Sequence, residues 1–199
     1  MGTTPTYSWP YPDDTDPVAN GAQDIEDLAL AVETTVSGLS EGGLVFISRT
    51  TIGSAVSSVT VSGAFSTDYD SYKIIVAGGD GSSGLSLTFT LGATVTGYKW
   101  AEIVQSYASP TPSSSGNTNA ASWNAGRGDT TLLTMSMEIH SPFLAEYTTF
   151  ESLWSRAGTI GRAGGYLDNT TSYTAFTITT STGTMTGGTV DVYGFRGPS

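Results

Sequence analysis

The chain has 199 residues, of which 38% are hydrophobic and 13% charged, and it contains no cysteine. This length suits one full-sized domain with an appendage, and without cysteine neither disulfides nor thiolate metal sites can stabilise the fold. The net charge of -11 disfavours nucleic acid as a partner, because an anionic surface repels phosphate groups.

The first predicted element is an arm, residues 1–17, which holds four prolines and three aromatic residues. Proline fixes φ and removes an amide donor, so we expect an extended arm. Aromatic rings suit a partner's groove, and an acidic segment without Lys or Arg suits a basic docking surface. The alternative for the charges is a solvated face that aids solubility. The candidate docking residues of the arm are Tyr7, Trp9, Tyr11, Asp13, Asp14 and Asp16.

Residues 18–43 are predicted to form one helix and a linker, with Asn20 as N-cap, Gln23 completing a capping box, and Gly38 ending the helix. Its apolar residues repeat at spacings of 4 and 3, which is a heptad seam. The seam needs either sister chains or the chain's own sheet, and the lack of a second helical pattern favours self-association. The seam residues are Val18, Ala22, Ile25, Ala29, Val32, Val36 and Leu39.

From residue 44 to residue 199 the apolar pattern has a period of two, which predicts strands. Residues 85–91 and 133–140 alternate most strictly, and seven further segments carry strand-like sequence between Gly- and Ser-rich turns. About nine strands with short connections predict a mainly β protein, an antiparallel β-sandwich of jelly-roll type. The Ser-, Asn- and Gly-rich stretch 108–129 is predicted to be a long loop. Tyr107, just before this stretch, and Trp123 and Arg127 within it are candidates for contact with a ligand.

Residues for catalysis are sparse in this sequence. His140 is the single histidine, and neither metal ligands nor triad partners accompany it nearby. Glu138, Glu146 and Glu151 offer carboxylates for glycoside cleavage, but strand parity places Glu138 on a solvent face without an obvious partner. We therefore expect no enzyme, no cofactor and no metal site.

The segment YPDDTDPVANGAQDIEDLALAVE, residues 11–33, resembles the amino-terminal segment of tail-fibre and other virion-surface proteins of tailed bacteriophages. The strands that end in TVDVYGFRGPS look like the trimeric jelly-roll domains that such proteins carry. The resemblance implies a homotrimer on the virion surface whose arm and helix bind capsid or tail proteins and whose β-domain projects outward. The seam residues alone do not fix the number of strands in the bundle.

The expected function is therefore that of a non-enzymatic virion structural protein, such as a short tail fibre, a head fibre or a capsid decoration protein. The alternative is a host receptor- or glycan-binding module of the tail, in which the host contact is made by Tyr107, Trp123 and Arg127, in or beside residues 108–129. The chain carries no pattern of a signal peptide and no apolar run near the ~20 residues of a membrane helix. We expect synthesis in the host cytoplasm and no membrane insertion.

Overall fold

The computed structural model describes residues 2–13, 15, 17–37 and 43–196. They fall into two compact units, an N-terminal unit that precedes Gly43 and a second unit that begins at Gly43. The second unit is an antiparallel β-sandwich, and a helix and an arm precede it in the chain. The predicted fold class is therefore confirmed.

The arm of the N-terminal unit turns back on itself instead of continuing as one extended segment. Two short strands, β1 (Gly2–Thr3) and β2 (Pro10–Tyr11), pair antiparallel. The turn between them is closed because the Thr4 amide donates to the Trp9 carbonyl at 2.9 Å. The prolines still keep this segment out of any larger sheet, since each removes a ladder donor.

A single 3-10 turn, Val18–Asn20, leads into helix α1, Gly21–Ser37. Asp24 lies in the first turn of α1, where a carboxylate interacts favourably with the helix dipole. The side chain of Gln23 donates to Asp27 at 2.9 Å, which is an i,i+4 pair along the helix surface. The predicted end of the helix, Gly38, lies outside the described residues.

The sandwich unit contains fourteen strands within the described residues. They are β3 (Gly43–Thr51), β4 (Ser58–Val61), β5 (Ser71–Ala77), β6 (Asp80–Gly81), β7 (Leu85–Leu91), β8 (Tyr98–Ser106), β9 (Ser113–Ala120), β10 (Trp123–Gly128), β11 (Leu133–His140), β12 (Thr149–Arg156), β13 (Thr159–Leu167), β14 (Phe176–Thr180), β15 (Met185–Thr186) and β16 (Thr189–Arg196).

Two antiparallel sheets of unequal size make the sandwich. The smaller sheet has the order β4-β14-β7-β10, and the larger has the order β3-β16-β5-β11-β12-β13-β8-β9. Strands β10 and β11 join the sheets at one corner, where Gly128 pairs with Leu133. The larger sheet has eight strands and the smaller has four, so the larger sheet is the wider of the two.

Aromatic rings from both sheets fill the core between them. Trp123 of the smaller sheet is fully buried and stacks on Phe150 of the larger sheet with ring centroids 4.5 Å apart. Phe89 and Phe176 stack beside it at 4.7 Å, and Tyr98 meets Trp123 edge-on at 5.2 Å. Offset and edge-on aromatic pairs stabilise a core beyond the effect of buried area alone. The core therefore centres on Trp123.

Strands β7 and β11 have the limits that strict alternation predicts, residues 85–91 and 133–140. The predicted loop 108–129 is different, because most of it forms β9 and β10. Strand β13 carries three glycines, so its sequence gave no strand signal. Its backbone needs them: a Cβ on Gly161 would lie 2.2 Å from the Trp154 ring, and one on Gly165 would lie 2.0 Å from the Lys99 carbonyl oxygen.

Candidate functional site

The predicted seam of the helix is largely open to solvent. Val18 lies in the 3-10 turn and is 98% exposed, while Ile25 and Val36 of α1 are 64% and 57% exposed. Ala22 and Ala29 are also exposed, and Val32 is half-buried. Leu39 lies outside the described residues. The described seam residues thus form an apolar stripe that this unit does not cover by itself.

A different side of α1 is covered by the arm. Strand β2 packs against the helix, and the indole N–H of Trp9 donates to Thr35 Oγ1 at 2.8 Å. Asp24 is buried and Leu28 and Ala31 are half-buried on the same side, at spacings of 4 and 3. The arm therefore packs on a stripe next to the seam. Each residue of that stripe comes one position before a seam residue in the sequence.

The predicted attachment residues have different environments. Trp9 is half-buried, and Tyr7 stacks on it with ring centroids 5.1 Å apart. Tyr7 and Tyr11 keep exposed rings. Hydrogen bonds from the Thr15 hydroxyl and amide lower the pKa of Asp13 to about 2, so this carboxylate stays ionised. Asp14 and Asp16 lie outside the described residues.

Trp123 is not a host contact. Its side chain is 0% exposed, and its indole N–H donates to the Tyr166 carbonyl at 3.3 Å. The prediction was wrong because Ser- and Gly-rich sequence around Trp123 suggested a loop, whereas tertiary context makes residues 123–128 a core strand.

Arg127 is also not a surface contact. One of its terminal nitrogens donates to both carboxylate oxygens of Glu102, each at 2.7 Å, and Glu102 is buried as well. The guanidinium also lies 4.8 Å from the centre of the Trp154 ring. Burial lowers the pKa of Arg127, and the carboxylate of Glu102 opposes that shift. This buried pair ties β10 of the smaller sheet to β8 of the larger sheet.

Tyr107 is exposed, just after β8. Of the three predicted host-contact residues it alone presents its side chain to solvent. A host contact through Tyr107 stays a prediction.

The larger sheet has one face in the core and one face turned away from it, which we call the outer face. Strand alternation places Met137 and Phe150 inward and Ser136, Glu138 and Leu153 outward. In the described part of the sandwich unit nine large apolar side chains are exposed, and six of them occupy outward positions of this sheet: Leu44, Phe46, Ile103, Leu153, Ile160 and Tyr166. Exposed apolar area is thus concentrated on one face.

A groove of about 460 Å³ runs along the outer face over β5, β11, β12, β13 and β8. Ala101 and Gly164 lie side by side across β8 and β13 and leave room between larger side chains. An adjoining hollow of about 240 Å³ shares Leu153 and is lined by Ile75 and Ile160. The groove and the hollow together give the outer face a ridged shape that a complementary surface can fill.

Charged side chains border the groove. Lys73 Nζ lies 2.9 Å from Glu138 Oε1, and Glu138 is directly opposite Glu151 on the neighbouring strand. Within the described ranges Glu151 and Arg162 have no ion-pair partner inside 4.0 Å. The sequence named both carboxylates as candidates but did not predict that they lie opposite each other, because alternation gives the face of a strand and not its register with the next strand.

His140 lies on the outer face at the end of β11, where its Nδ1 is 2.9 Å from the Ser71 hydroxyl. The described ranges contain no group of three or more His, Asp or Glu side chains arranged to hold a metal ion. No helix among them is long and apolar enough to span a membrane.

Comparisons of the chain with protein-family models, with curated proteins and with solved structures found no match. The helix seam and the outer face are the two features of the described residues that bear most directly on function.

Proposed function

We propose that this chain is a non-enzymatic structural protein of a bacteriophage virion, a homotrimeric short fibre or surface protein. In this proposal the N-terminal unit binds the particle and holds the copies together, and the β-sandwich projects outward. The observation that carries the proposal is the exposed apolar seam of α1, in which Ile25 and Val36 remain more than half exposed. The bacteriophage assignment depends on the resemblance of residues 11–33 to virion-surface proteins.

The seam needs a partner on physical grounds. An isolated helix of 17 residues is marginal in water, and the arm covers a different side of α1 through Trp9 and Thr35. Burial of apolar area stabilises by roughly 25 cal/mol per Å², so association of the seams contributes what one unit lacks. Ala22 and Ala29 at seam positions permit close approach of neighbouring helices.

Attachment to the particle is assigned to the exposed side of the arm. Tyr7 and Tyr11 present their rings to solvent, and Asp13, which is only half-buried, is ionised at neutral pH, as carboxylates ordinarily are. No Lys or Arg precedes Arg49 in the sequence. A basic surface with grooves for two aromatic rings is the partner that this chemistry favours.

Substitution of both exposed tyrosines tests this assignment. A Tyr7→Ser/Tyr11→Ser variant retains Trp9 and its bond to Thr35, so we expect an unchanged oligomer that is no longer incorporated into particles. The matched control is Tyr107→Ser, which removes an exposed tyrosine from the sandwich unit and should leave incorporation normal. Normal incorporation of the double variant would refute the role of the arm.

The alternative function, a host glycan-binding module, has less support from the site. Two of its three proposed contact residues, Trp123 and Arg127, have their polar and aromatic groups engaged inside the sandwich. The remaining contact residue is Tyr107. If a Tyr107→Ala variant adsorbs normally to host cells, Tyr107 does not make a host contact either.

A further inference from the structure

The outer face of the larger sheet is an unusual surface for a protein of this charge. The chain has seven Lys and Arg residues in total, and four of them, Arg49, Lys73, Lys99 and Arg162, occupy outward positions of this sheet. The strands place three carboxylates there, those of Glu138, Glu151 and Asp191. Asp168, just after β13, adds a fourth carboxylate because it pairs with the outward Lys99. Four cations and four carboxylates leave the outer face without net charge, whereas the chain as a whole carries -11.

This distribution of charge bears on which partner fits the face. Two copies of an acidic protein repel one another across most of their surfaces. Across the outer face that repulsion is absent, since three of the four cations are already paired within the chain: Arg49 with Asp191, Lys73 with Glu138, and Lys99 with Asp168. Paired charges at a contact neither attract a strongly charged partner nor repel a second copy.

Apolar side chains supply the attraction. Ile103 and Leu153 are 52% and 53% exposed and lie on either side of Arg162 in one row across the sheet. Ile160 adds to this patch at the edge of the hollow beside the groove. Apolar patches concentrated on one face of a soluble protein mark interaction surfaces, and a patch bordered by charged residues is typical of an interface between proteins.

Two charged side chains of the outer face have no ion-pair partner among the described residues, and they are of opposite sign. Glu151 and Arg162 border the same groove without an ion-pair partner in the described residues. In a symmetric assembly residue i of one copy meets residue j of the next, so a face that carries one free acid and one free base can complement itself. A purely basic or purely acidic partner would satisfy only one of them.

We propose that the outer face of the larger sheet is a second interface between copies of this chain, in which Glu151 of one copy approaches Arg162 of its neighbour. The inference rests on the proposed function in that it takes copies of the chain as partners, but it assigns them a contact separate from the helix seam. In this arrangement the sandwich units of neighbouring copies contact each other directly, in addition to the contact through the helix seams.

Labelling of introduced cysteines tests the interface, because the native chain has no cysteine. The full-length variants Ile103→Cys and Leu153→Cys are compared with Val95→Cys, a residue 67% exposed between β7 and β8. We expect maleimide to react with Cys at positions 103 and 153 about tenfold or more slowly than at position 95, since an interfacial thiol reacts only when the interface opens. Equal rates at all three positions would overturn the proposal.

Charge reversal tests the proposed pairing with the same readout. Glu151→Arg or Arg162→Glu alone, each in the Leu153→Cys background, should make the thiol react quickly, because like charges then meet across the interface. Both reversals together should restore slow labelling. Fast labelling in the double variant, or slow labelling in both single variants, would contradict the pairing.

The native mass of each sample separates this inference from the proposed function. An oligomer with reactive thiols at 103 and 153 overturns the second interface and leaves the helix seam in place. A monomer overturns both. Rapid labelling that slows on addition of host-envelope glycan would assign the groove to sugar binding and would also overturn the interface.

Discussion

The N-terminal unit and the sandwich unit differ in what they bury. The sandwich encloses a continuous core of aliphatic and aromatic residues around Trp123, with its inward positions almost fully covered. In the described part of the N-terminal unit no large apolar side chain is buried, and Ile25, Leu30 and Val36 are exposed along the helix. The sandwich therefore has a source of stability within one chain, while the described part of the N-terminal unit leaves the apolar stripe of its helix uncovered.

The same contrast holds between the two faces of the larger sheet. The inner face buries Met137 and Phe150, and the outer face exposes Leu153 on the same strands. Apolar residues on both faces of a strand are typical of a strand that is covered on both sides. Among the described residues, the helix seam and the outer face are thus two apolar surfaces that their own unit leaves uncovered.

The largest loss of stability is expected from a substitution at the centre of the core. Trp123→Ala removes a fully buried indole that contacts Phe89, Tyr98 and Phe150, and it should lower the free energy of unfolding by about 3 to 5 kcal/mol. Tyr107→Ala, at an exposed site, should change it by less than ~0.5 kcal/mol. Chemical denaturation followed by Trp fluorescence measures both. Similar losses in the two variants would contradict the contrast between core and surface.

Breaking the buried ion pair should have the next largest effect. Glu102→Gln leaves the Arg127 guanidinium buried without a counter-charge, which should cost about 3 kcal/mol or more. Glu138→Gln removes the partner of Lys73 on the outer face, where both groups are partly exposed, and should cost about 1 kcal/mol or less. Equal denaturation midpoints for the two variants would show that Glu102 is not held in a buried pair.

The contact between arm and helix should have a smaller effect, confined to the N-terminal unit. Trp9→Phe keeps an aromatic ring and removes the indole donor to Thr35, which should destabilise the helix by about 1 kcal/mol. Thermal melting of the helical circular dichroism signal measures the change. Tyr7→Phe, which changes only an exposed hydroxyl, is the control and should melt like the native protein.

The smallest expected effect concerns acid stability. Two hydrogen bonds from Arg49, each 2.7 Å long, hold the pKa of Asp191 below the ordinary value of 3.8. The stabilisation is present above pH 3.8, and it is lost as the pH falls through the lower pKa of the folded state, because the unfolded chain takes up the proton first. Asp191→Asn should therefore show a shallower loss of stability than the native protein in this acidic range. Identical pH profiles would refute the role of this pair.

Much of the fold could be predicted from alternation alone. Strands β7 and β11 were predicted residue for residue, because each alternates apolar and polar side chains without interruption. Strand β9 was not predicted, because its Ser- and Asn-rich sequence pairs only at the edge of the sheet. Strand β13 was not predicted, because it contains glycines that permit close packing against Trp154 and Lys99.

The candidate surfaces could be predicted only in part. The apolar spacing of the helix seam lies within one element, so local sequence is enough to predict which residues share that stripe. The outer face depends on the register of eight strands, which brings Ile103 of β8, Arg162 of β13 and Leu153 of β12 into one row. Register between strands that are distant in sequence is a tertiary property, and no local pattern specifies it.

The native mass of the full-length protein in solution tests the central claim most directly, together with an Ile25→Asp/Val36→Asp variant. The native protein should have the mass of three copies. The trimer of the variant should dissociate into single chains at a higher protein concentration than the native trimer, because negative charges then lie in the seam. Leu30→Asp places a charge at an exposed position of the helix outside the seam, and it should associate like the native protein. A native protein that stays monomeric at all concentrations would contradict the account.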